Sequence, residues 1–525
     1  MRFHLRLLPV TLALILLSRG AIGSDIANPA AKAKPSVEYS PHTAWELGYS
    51  GKEVAICVMD TGVDDSHPSL VGKWLGGVDV SKPQTPLTPR DGTFNADDTN
   101  GHGTTCSGIA MGTGAPEKRY QGTAPDARLV ELRIGTIFGA APGEGPSPIK
   151  LYDATLQGEQ WALDHKDQSW GPGGGQYRGI QVLSLSWGID VGGSSDGSDL
   201  YSQALDRLVD AGVIVVNAAG NDGPSNDGLT GLSASSKAIV VGATVDQDTI
   251  DRGDDLIADY SSRGPRRDNG DDDPYNELKP DVSAPGTGIT QANYDRKGNG
   301  AGNGYGPRGS GTSYATPLVA GVCALLLEAN SNLTPPVVME ILRATAERRG
   351  NASAPELDPF WNREYGWGMV DAYEASRLAA RTEADKVDVN LQAFVTNITQ
   401  KAQTVKARGL AWNRFGDIER AETRVDGGGW TRLHPDKTSP FGNWTLELPQ
   451  LPAGAHTLYV KSSSGGKESL VTLVEFNTTG PAAGPGALTG AVAWGGGAIA
   501  AAAAAGVSYW VIRKRKKGAE APVAN

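Results

Sequence analysis

Four short segments place a polar side chain among small residues where a strand ends or a helix begins. Asp60 ends the apolar run of "VMDTGVDDSHP", and His102 begins a small-residue stretch in "DDTNGHGTTCSGIAMG". Asn221 follows a strand-like run in "VVNAAGNDGP", and Ser313 opens the apolar segment "GTSYATPLVAGVCALLLEA". A serine hydroxyl becomes a nucleophile only when a positioned base accepts its proton. A histidine, a carboxylate and an amide donor complete the residue set for acyl transfer.

Each segment alone has a more ordinary interpretation, because aspartate forms turns and serine caps helices. The sequence "GTSYA" around Ser313 nearly fits the G-x-S-x-G elbow of α/β-hydrolases, whose acid and histidine follow the serine. The histidines after Ser313 are His434 and His456, and both lie in a later all-β region. An elbow would therefore need its base from another domain. With the order Asp60, His102, Ser313, the acid, the base and the serine instead all come from the same predicted parallel sheet.

These segments resemble the motifs of the subtilisin-like serine proteases. "DTGVD", "GHGT", "AAGND" and "GTSYATP" match the aspartate, histidine, oxyanion-asparagine and serine motifs of that family in order, within residues 37–380. The resemblance implies a serine endopeptidase in which Ser313 is the nucleophile, His102 the general base and then acid, and Asp60 its carboxylate partner. It also implies that Asn221 and the backbone N–H of Ser313 bind the oxyanion. No cofactor is required for this chemistry.

The same resemblance assigns two segments to the walls of the first substrate pocket. These residues are Ser184, Leu185, Ser186, Trp187 and Gly188 on one side, and Ala218, Ala219 and Gly220 on the other. An extended polypeptide substrate would pair its backbone with such strands regardless of its side chains. Trp187 stands where many relatives have a smaller aliphatic residue, so we hypothesise that it narrows a neighbouring subsite. Asp222 is expected either on the pocket rim or as a solvated loop acid.

Cys106 and the start of the chain distinguish this sequence within the family it resembles. Cys106 resembles the free cysteine that proteinase K-like members place beneath the histidine, and no base of its own would activate it. Residues 24–36 form only a short Ala/Lys/Pro stretch where secreted relatives usually carry a folded pro-domain, which leaves folding and inhibition open. Ser310 and Thr312 have no assigned base and are expected only to shape the loop before Ser313.

The elements that must position these residues alternate between β-branched runs and helical patterns over residues 37–382. Strand-like runs such as "EVAICVMD", "VLSLSW" and "VIVVNAAG" are separated by helical stretches such as "DLYSQALDRLVDAG". Near-continuous apolar strands with intervening helices predict an α/β fold with a doubly wound, mostly parallel sheet covered on both faces, as in subtilisin-like proteins. The reactive groups should then gather at the carboxyl ends of the strands.

The two ends of the chain and its last third predict other environments. Residues 1–23 have the charge, apolar run and small residues of a signal peptide. Residues 384–479 alternate apolar and polar residues between frequent turns, which predicts a small all-β, Ig-like sandwich. A Pro/Gly stalk at 480–486 leads to the uncharged segment 487–512, which is long enough for a transmembrane helix. The basic residues of 513–525 then predict a cytoplasmic tail.

This layout predicts an enzyme at the cell surface, with one membrane span and the catalytic domain outside. The Ala/Gly-rich composition of the span leaves a surface helix, or exchange of the tail for a lipid by a sorting enzyme, as alternatives. The functional alternative is a catalytically silent or mainly adhesive surface protein. An exposed row of Trp412, Trp430 and Trp444 would favour adhesion, whereas burial of these side chains would not.

Composition limits the partners and metals that we expect. A formal net charge of -11 spread over acidic loops argues against nucleic acid as a partner. The loop "DNGDDD" makes Asp268, Asp271 and Asp273 candidates for a structural calcium site, with a solvated acidic loop as the alternative. The oligomeric state is left open. The three cysteines lie in apolar surroundings and are predicted to be buried free thiols: Cys57, Cys106 and Cys323.

Overall fold

The computed structural model describes residues 31, 43–81, 85–86, 98, 100–135, 148–170, 177–249, 251–295, 304–401, 404–436, 440–448 and 450–479. The predicted signal peptide, stalk, transmembrane helix and basic tail lie outside these residues. Among the described helices, Thr312–Ala329 is long and apolar enough to cross a membrane, but 83% of it is buried inside the protein. It is the central helix of the first domain.

Strands and helices alternate through the first domain. The strands are β1 Ala55–Asp60, β2 Trp74–Asp79, β3 Thr85–Pro86, β4 Arg128–Arg133, β5 Ser169–Trp170, β6 Tyr177–Arg178, β7 Val182–Leu185, β8 Ile214–Ala218, β9 Ile239–Val245, β10 Leu256–Ile257, β11 Val282–Pro285, β12 Ile289–Ala292 and β13 Tyr305–Gly309. The helices are α1 His102–Met111, α2 Pro148–Asp164, α3 Leu200–Asp210, α4 Thr312–Ala329, α5 Pro335–Thr345 and α6 Ala372–Arg381.

A nine-stranded sheet forms the centre of this domain. Its order is β10-β9-β8-β7-β1-β4-β2-β3, and β11 also pairs with β9. The pairings are parallel except for those of β3 with β2 and β10 with β9, which confirms the predicted mostly parallel α/β sheet. Strands β4 and β2 lie on one side of β1, and the later strands β7 to β9 lie on the other. The carboxyl end of β1 is therefore a switch point, where ligand-binding crevices form in such sheets.

Alternate side chains of β1 enter two separate apolar cores. Ile56 and Val58 belong to the core that surrounds α4, whereas Cys57 and Met59 belong to the core beneath α2 and α3. Helices on both faces explain why this strand has no polar residue before Asp60, since each position must be apolar to be buried. The sheet thereby gives the site a rigid platform.

The second domain consists of two antiparallel sheets around a common core. Its strands are β14 Leu391–Lys401, β15 Thr404–Asn413, β16 Arg420–Val425, β17 Thr431–Leu433, β18 Asn443–Leu448, β19 Gly454–Ser464, β20 Lys467–Glu468 and β21 Thr472–Thr478. One sheet has the order β14-β15-β18, and the other has β17-β16-β19-β20 with β21 paired to β19. The Ig-like assignment stays a prediction.

The tryptophans of the second domain do not form an exposed row. Trp444 is buried in the core between the two sheets, and Trp412 is buried against Phe360 of the first domain. Only Trp430 is partly exposed, and its ring lies below the guanidinium of Arg424. Because two of the three tryptophans are buried, they do not form the exposed row that would favour adhesion.

Candidate active site

Asp60 and His102 meet where β1 ends and α1 begins. The Nδ1 atom of His102 lies 2.8 Å from Oδ1 and 3.0 Å from Oδ2 of the buried Asp60 carboxylate. The backbone N–H of Thr61 donates a second hydrogen bond to Oδ1, at 2.7 Å. A Cβ atom on Gly103 would overlap the Gly62 carbonyl oxygen and lie 3.1 Å from the Asp60 Cβ. Glycine after His102 thus lets the helix begin directly against the strand.

The carboxylate of Asp60 sets the charge and tautomer of His102. Burial disfavours the charged imidazolium, but the attraction of Asp60 outweighs it and holds the pKa of His102 well above its usual range. Because a carboxylate only accepts hydrogen bonds, Nδ1 of His102 carries the proton in this pair. Nε2 is then the nitrogen that can accept a proton from another group.

A second buried carboxylate, Asp98, holds the first turn of α1. Its Oδ1 accepts hydrogen bonds from the backbone N–H of Gly101 at 2.8 Å and from the hydroxyl of Thr61 at 2.9 Å. Its Oδ2 accepts from the N–H of Thr104 at 3.0 Å and from the hydroxyl of the same residue. Negative charge is favourable at this end of a helix. Asp98 is not among the residues predicted from the sequence, although an aspartate shortly before a helix start is a capping signal.

Ser313 is the second residue of α4 and lies beside the start of α1. Its backbone carbonyl accepts hydrogen bonds from the Ser186 hydroxyl at 2.7 Å and from the Cys106 thiol at 3.5 Å. The Cys106 sulfur is also 3.8 Å from Nδ1 of His102, and the rings of Tyr314 and His102 are 5.7 Å apart. The Ser313 hydroxyl makes no hydrogen bond to another described residue. Among the described residues, the hydroxyl is therefore not hydrogen-bonded to Nε2 of His102.

The thiol of Cys106 is buried beneath His102, as the resemblance implied. Burial raises the pKa of Cys106 above its usual value, so the thiol is a weak nucleophile. Cys57 and Cys323 are also buried free thiols, which confirms the prediction for all three. The alternative base His456 instead lies 2.8 Å from Asp426 in the second domain.

Asn221 lies in the loop after β8, and Thr312 fixes its orientation. Its Oδ1 accepts hydrogen bonds from the backbone N–H of Thr312 at 2.9 Å and from the Thr312 hydroxyl at 3.0 Å. A Cβ atom on Gly311 would lie 3.6 Å from both Nδ2 of Asn221 and the backbone nitrogen of Ser313. Both predicted oxyanion donors therefore border one small space, which Gly311 leaves open. The contact of Thr312 with Asn221 was not predicted from the sequence, which assigned Thr312 only to the loop before Ser313.

The predicted pocket walls lie on the same sheet edge as Asp60, because β7 ends at Leu185 and β8 ends at Ala218. Of the eight wall residues, Gly188 is exposed and Gly220 partly exposed, and the others are buried. Trp187 is only 3% exposed and packs in the apolar core beneath α2 and α3. This placement gives the indole a packing role, and its effect on a subsite stays a prediction.

The loop proposed for calcium is an exposed series of turns. Asp268 accepts a hydrogen bond from the N–H of Gly270 at 2.6 Å, and Asp273 accepts one from the N–H of Tyr275 at 3.0 Å. Asp271 accepts from two neighbouring asparagine amides. Such local hydrogen bonds are typical of aspartate turns and need no metal ion. Calcium at this loop stays a prediction.

A parallel sheet whose switch point carries an Asp–His pair next to a helix-initiating serine defines the class of serine acyl-transfer enzymes. Residues 51–368 match the subtilase family, Peptidase_S8. Because this match covers more than half of the chain, the chain belongs to the subtilase family. Residues 51–368 are accordingly a subtilase domain.

Three relatives show how much of the chain is shared. Serine protease AprX of Bacillus subtilis is 32% identical over 332 residues, which are 62% of this chain and 66% of AprX. Thermitase of Thermoactinomyces vulgaris is 30% identical over 332 residues, which are 63% of this chain and 91% of thermitase. A calcium-dependent protease of Trichormus variabilis is 28% identical over 368 residues, which are 66% of this chain and 49% of that protease.

Proposed function

We propose that this protein is an exported, membrane-anchored serine endopeptidase that cleaves extended polypeptides. The observation that carries the catalytic part is the 2.8 Å contact between His102 and Asp60, next to the helix start that holds Ser313. We infer that the serine hydroxyl, the imidazole and the two hydrogen-bond donors face one cleft at the switch point of the sheet.

In the proposed reaction, Oγ of Ser313 attacks the peptide carbonyl carbon while Nε2 of His102 accepts the hydroxyl proton. The carbonyl oxygen becomes an oxyanion, which receives hydrogen bonds from Nδ2 of Asn221 and from the N–H of Ser313. Asp60 stabilises the imidazolium that forms. The C–N bond then breaks, and the leaving amine takes the proton from His102. Water attacks the acyl-enzyme in the second half, again losing its proton to His102, and Ser313 departs as the hydroxyl.

A polypeptide substrate fits the two segments that end β7 and β8. Residues 184–188 and 218–220 are proposed to contact the substrate backbone on opposite sides of the first pocket. Backbone pairing of this kind binds extended chains of many sequences, so it supports peptide hydrolysis without specifying a cleavage preference.

A fluorophosphonate test examines the catalytic proposal directly. The full chain should be labelled once, on Ser313, and the S313A variant should not be labelled. The matched control is S310A, because the Ser310 hydroxyl accepts a hydrogen bond from the N–H of Gly288 at 2.9 Å and has no base. Labelling of S310A at the normal rate is expected. An adduct on another residue, or labelling that survives heat denaturation, would contradict the proposal.

Export and membrane anchoring rest on the sequence of the chain ends. Residues 1–23 support export, and the uncharged segment 487–512 followed by basic residues supports a single span with the catalytic domain outside. The full chain should sediment with membranes after an alkaline wash and be digested by protease added outside the cell. A chain that stops at residue 480 should be released. Release of the full chain by the alkaline wash would contradict the anchor.

Structural calcium is also part of this proposal. A relative named calcium-dependent protease supports it, because hard cations commonly stabilise loops through carboxylate and carbonyl oxygens. The sequence candidate for this ion is the exposed loop that contains Asp268, Asp271 and Asp273. The buried aspartates next to the β9–β10 hairpin are a stronger candidate for the ion than this exposed loop.

A further inference from the structure

Two buried aspartates lie where the hairpin formed by β9 and β10 meets its connecting loop. In this antiparallel pair Leu256 lies opposite Val245 at the last paired position, and Asp255 and Asp246 are the next residues on either side. The charge of Asp246 contributes to the raised pKa of Asp255, so the two carboxyl groups lie near each other. Both residues are buried: Asp246 is 1% exposed and Asp255 is 4% exposed.

The oxygen atoms at this position lack the hydrogen bonds that burial normally requires. Oδ2 of Asp246, Oδ1 of Asp255 and Oγ1 of Thr244 are buried without a hydrogen-bond partner among the described residues. Thr244 is fully buried and lies two positions before Asp246 on β9. Because alternate residues of a strand share a face, these two side chains project in the same direction. Unpaired buried oxygens of this kind indicate a missing partner.

Negative charge is concentrated around these oxygens. Burial is the largest cause that raises the pKa of Asp246 to about 7, and the nearby Asp248 and Asp254 add to it. Burial likewise raises the pKa of Asp255 to about 7, and the charge of Asp246 contributes. Asp248 and Asp254 are exposed at the tip of the hairpin. The two buried carboxylates therefore repel one another when no positive charge lies between them.

The neighbouring arginines offset only part of the unfavourable burial of Asp255, although the attraction of Arg252 is larger than the repulsion from Asp246. Arg252 and Arg349 partly oppose the rise in the pKa of Asp255. Both guanidinium groups, however, form ion pairs with Glu347, with Arg349 at 2.7 Å from Oε1. Their charge is thus shared with another carboxylate. The phenol of Tyr260, which faces the same region, donates its hydrogen bond to the carbonyl of Gly286 at 3.0 Å.

We propose that Asp246, Asp255 and Thr244 form a calcium site at the base of the loop that connects β9 and β10. Two carboxylates and a hydroxyl supply the hard oxygen ligands that Ca²⁺ prefers, and its flexible coordination leaves places for water or carbonyl oxygens. A divalent cation would neutralise the two buried charges and occupy all three unpaired oxygens. This inference rests on the structural calcium of the proposed function and gives that ion a location.

A short path of hydrogen bonds connects this site to the active-site serine. The carbonyl oxygen of Thr244 accepts from the N–H of Gly286 at 3.1 Å and from the hydroxyl of Thr287 at 3.1 Å. The carbonyl of Gly286 in turn accepts from the N–H of Gly311 at 2.9 Å. Gly311 precedes the first turn of α4, where Ser313 lies. Calcium at the hairpin would therefore stabilise the segment from which the nucleophile projects.

The test uses the full chain with the S313A change, so that self-cleavage cannot alter the sample. After removal of metal with EGTA, added CaCl₂ should raise Tm by several degrees in a saturable way, because a ligand that binds only the folded state stabilises it. Mass spectrometry of the metal content should find bound calcium. In a chain that also carries D246N and D255N, the calcium-dependent rise and one bound calcium should disappear.

A matched control separates this site from the exposed loop. The D268N/D271N variant removes the same number of charges and should keep the rise in Tm. Loss of the rise in this control, but not in D246N/D255N, would overturn the hairpin site and leave structural calcium intact. A parent chain that does not respond to calcium would contradict both.

Two further measurements test the site in other ways. The first asks whether a shared proton takes the place of the metal, and the second does not depend on the folding of a variant. Carboxyl groups whose pKa is raised by folding make the protein less stable as pH increases from about 4 to 7. Bound calcium should abolish this loss of stability. A loss that persists in saturating calcium would mean that a proton bridges the pair, and the proposal would be wrong. In the chain without hairpin substitutions, calcium should slow amide hydrogen exchange in residues 246–257. Unchanged exchange there would also contradict the site.

Discussion

Two pairs of buried aspartates beside the same sheet differ in how their charge is balanced. Asp60 and Asp98, next to β1, accept several hydrogen bonds from backbone N–H groups, hydroxyls and His102. Asp246 and Asp255, at the end of β9, retain buried oxygens without partners. Because an unsatisfied buried polar group costs about 1–3 kcal/mol, the second pair is stable only with an external partner or with bound protons.

The difference separates charges that the chain itself compensates from charges that require a ligand. Near β1, the loop, strand end and first helical turn converge on the two carboxylates, so removing either one should break contacts that already exist. At the hairpin, removing a carboxylate should remove a charge that burial disfavours when no metal is bound. The same Asp to Asn substitution is therefore expected to have opposite consequences in the two regions.

The largest effect is expected for D60N. Asparagine can hold His102 in the tautomer that cannot act as a base, and this loss reduces turnover by about 10⁴ in comparable enzymes. Activity of the unchanged enzyme should fall as pH drops through the raised pKa of His102. In D60N that pKa should be lower, so the residual activity should fall at a lower pH. Profiles of kcat/KM against pH for a peptide substrate measure both effects.

The control for D60N is D164N, which removes an exposed carboxylate at the end of α2. Its pH profile should coincide with that of the unchanged enzyme. An acidic limb that stays at the same pH in D60N would show that Asp60 does not control the ionisation of His102.

An intermediate effect is expected for D98N, which presents an amide NH₂ to groups that also donate. The N–H of Thr104 would face that amide, and the first turn of α1 would lose a charge-assisted acceptor. We expect a loss of about 1–3 kcal/mol in the free energy of unfolding, measured by denaturant titration in the S313A chain. In the active chain, kcat should fall more than KM rises, because His102 is displaced.

The exposed Asp126 provides the comparison for D98N. It accepts a hydrogen bond from the Ser50 hydroxyl at 2.6 Å, and D126N should change stability by only about 0.5 kcal/mol or less. Equal losses in the two variants would argue against a specific role for Asp98 at the helix start.

The sequence was informative where chemistry alone demands a residue type. Serine catalysis needs an acid, a base and a donor in a recognisable order, so Asp60, His102, Asn221 and Ser313 could be selected before any contact was known. The parallel sheet was also predictable, because a strand buried on both faces must be apolar throughout, as β1 is. These features depend on local pattern and on the order of motifs.

Features that depend on distant packing were not predictable. The partners of Asp98 and the contact of Thr312 with Asn221 arise only when separate loops converge. The burial of Trp187 follows from the helices that cover β7. Asp246 and Asp255 were overlooked in favour of the more acidic loop at Asp268, because charge density along the sequence does not reveal which carboxylates become buried.

The smallest effect, and the one with the opposite sign, is expected for D255N in EGTA. Near pH 8 both hairpin aspartates of the metal-free chain are ionised, because this pH lies above their raised pKa values of about 7. A neutral side chain should then raise stability by about 1 kcal/mol or less, since it removes a charge that burial, and to a lesser degree Asp246, makes unfavourable in the folded state. Near pH 5 the carboxyls are largely protonated in the folded state, so the gain should vanish. Thermal unfolding of the S313A chain with and without D255N, at both pH values, measures the difference. An equal decrease in Tm at both would place Asp255 with Asp98, as a carboxylate whose partners belong to the chain itself.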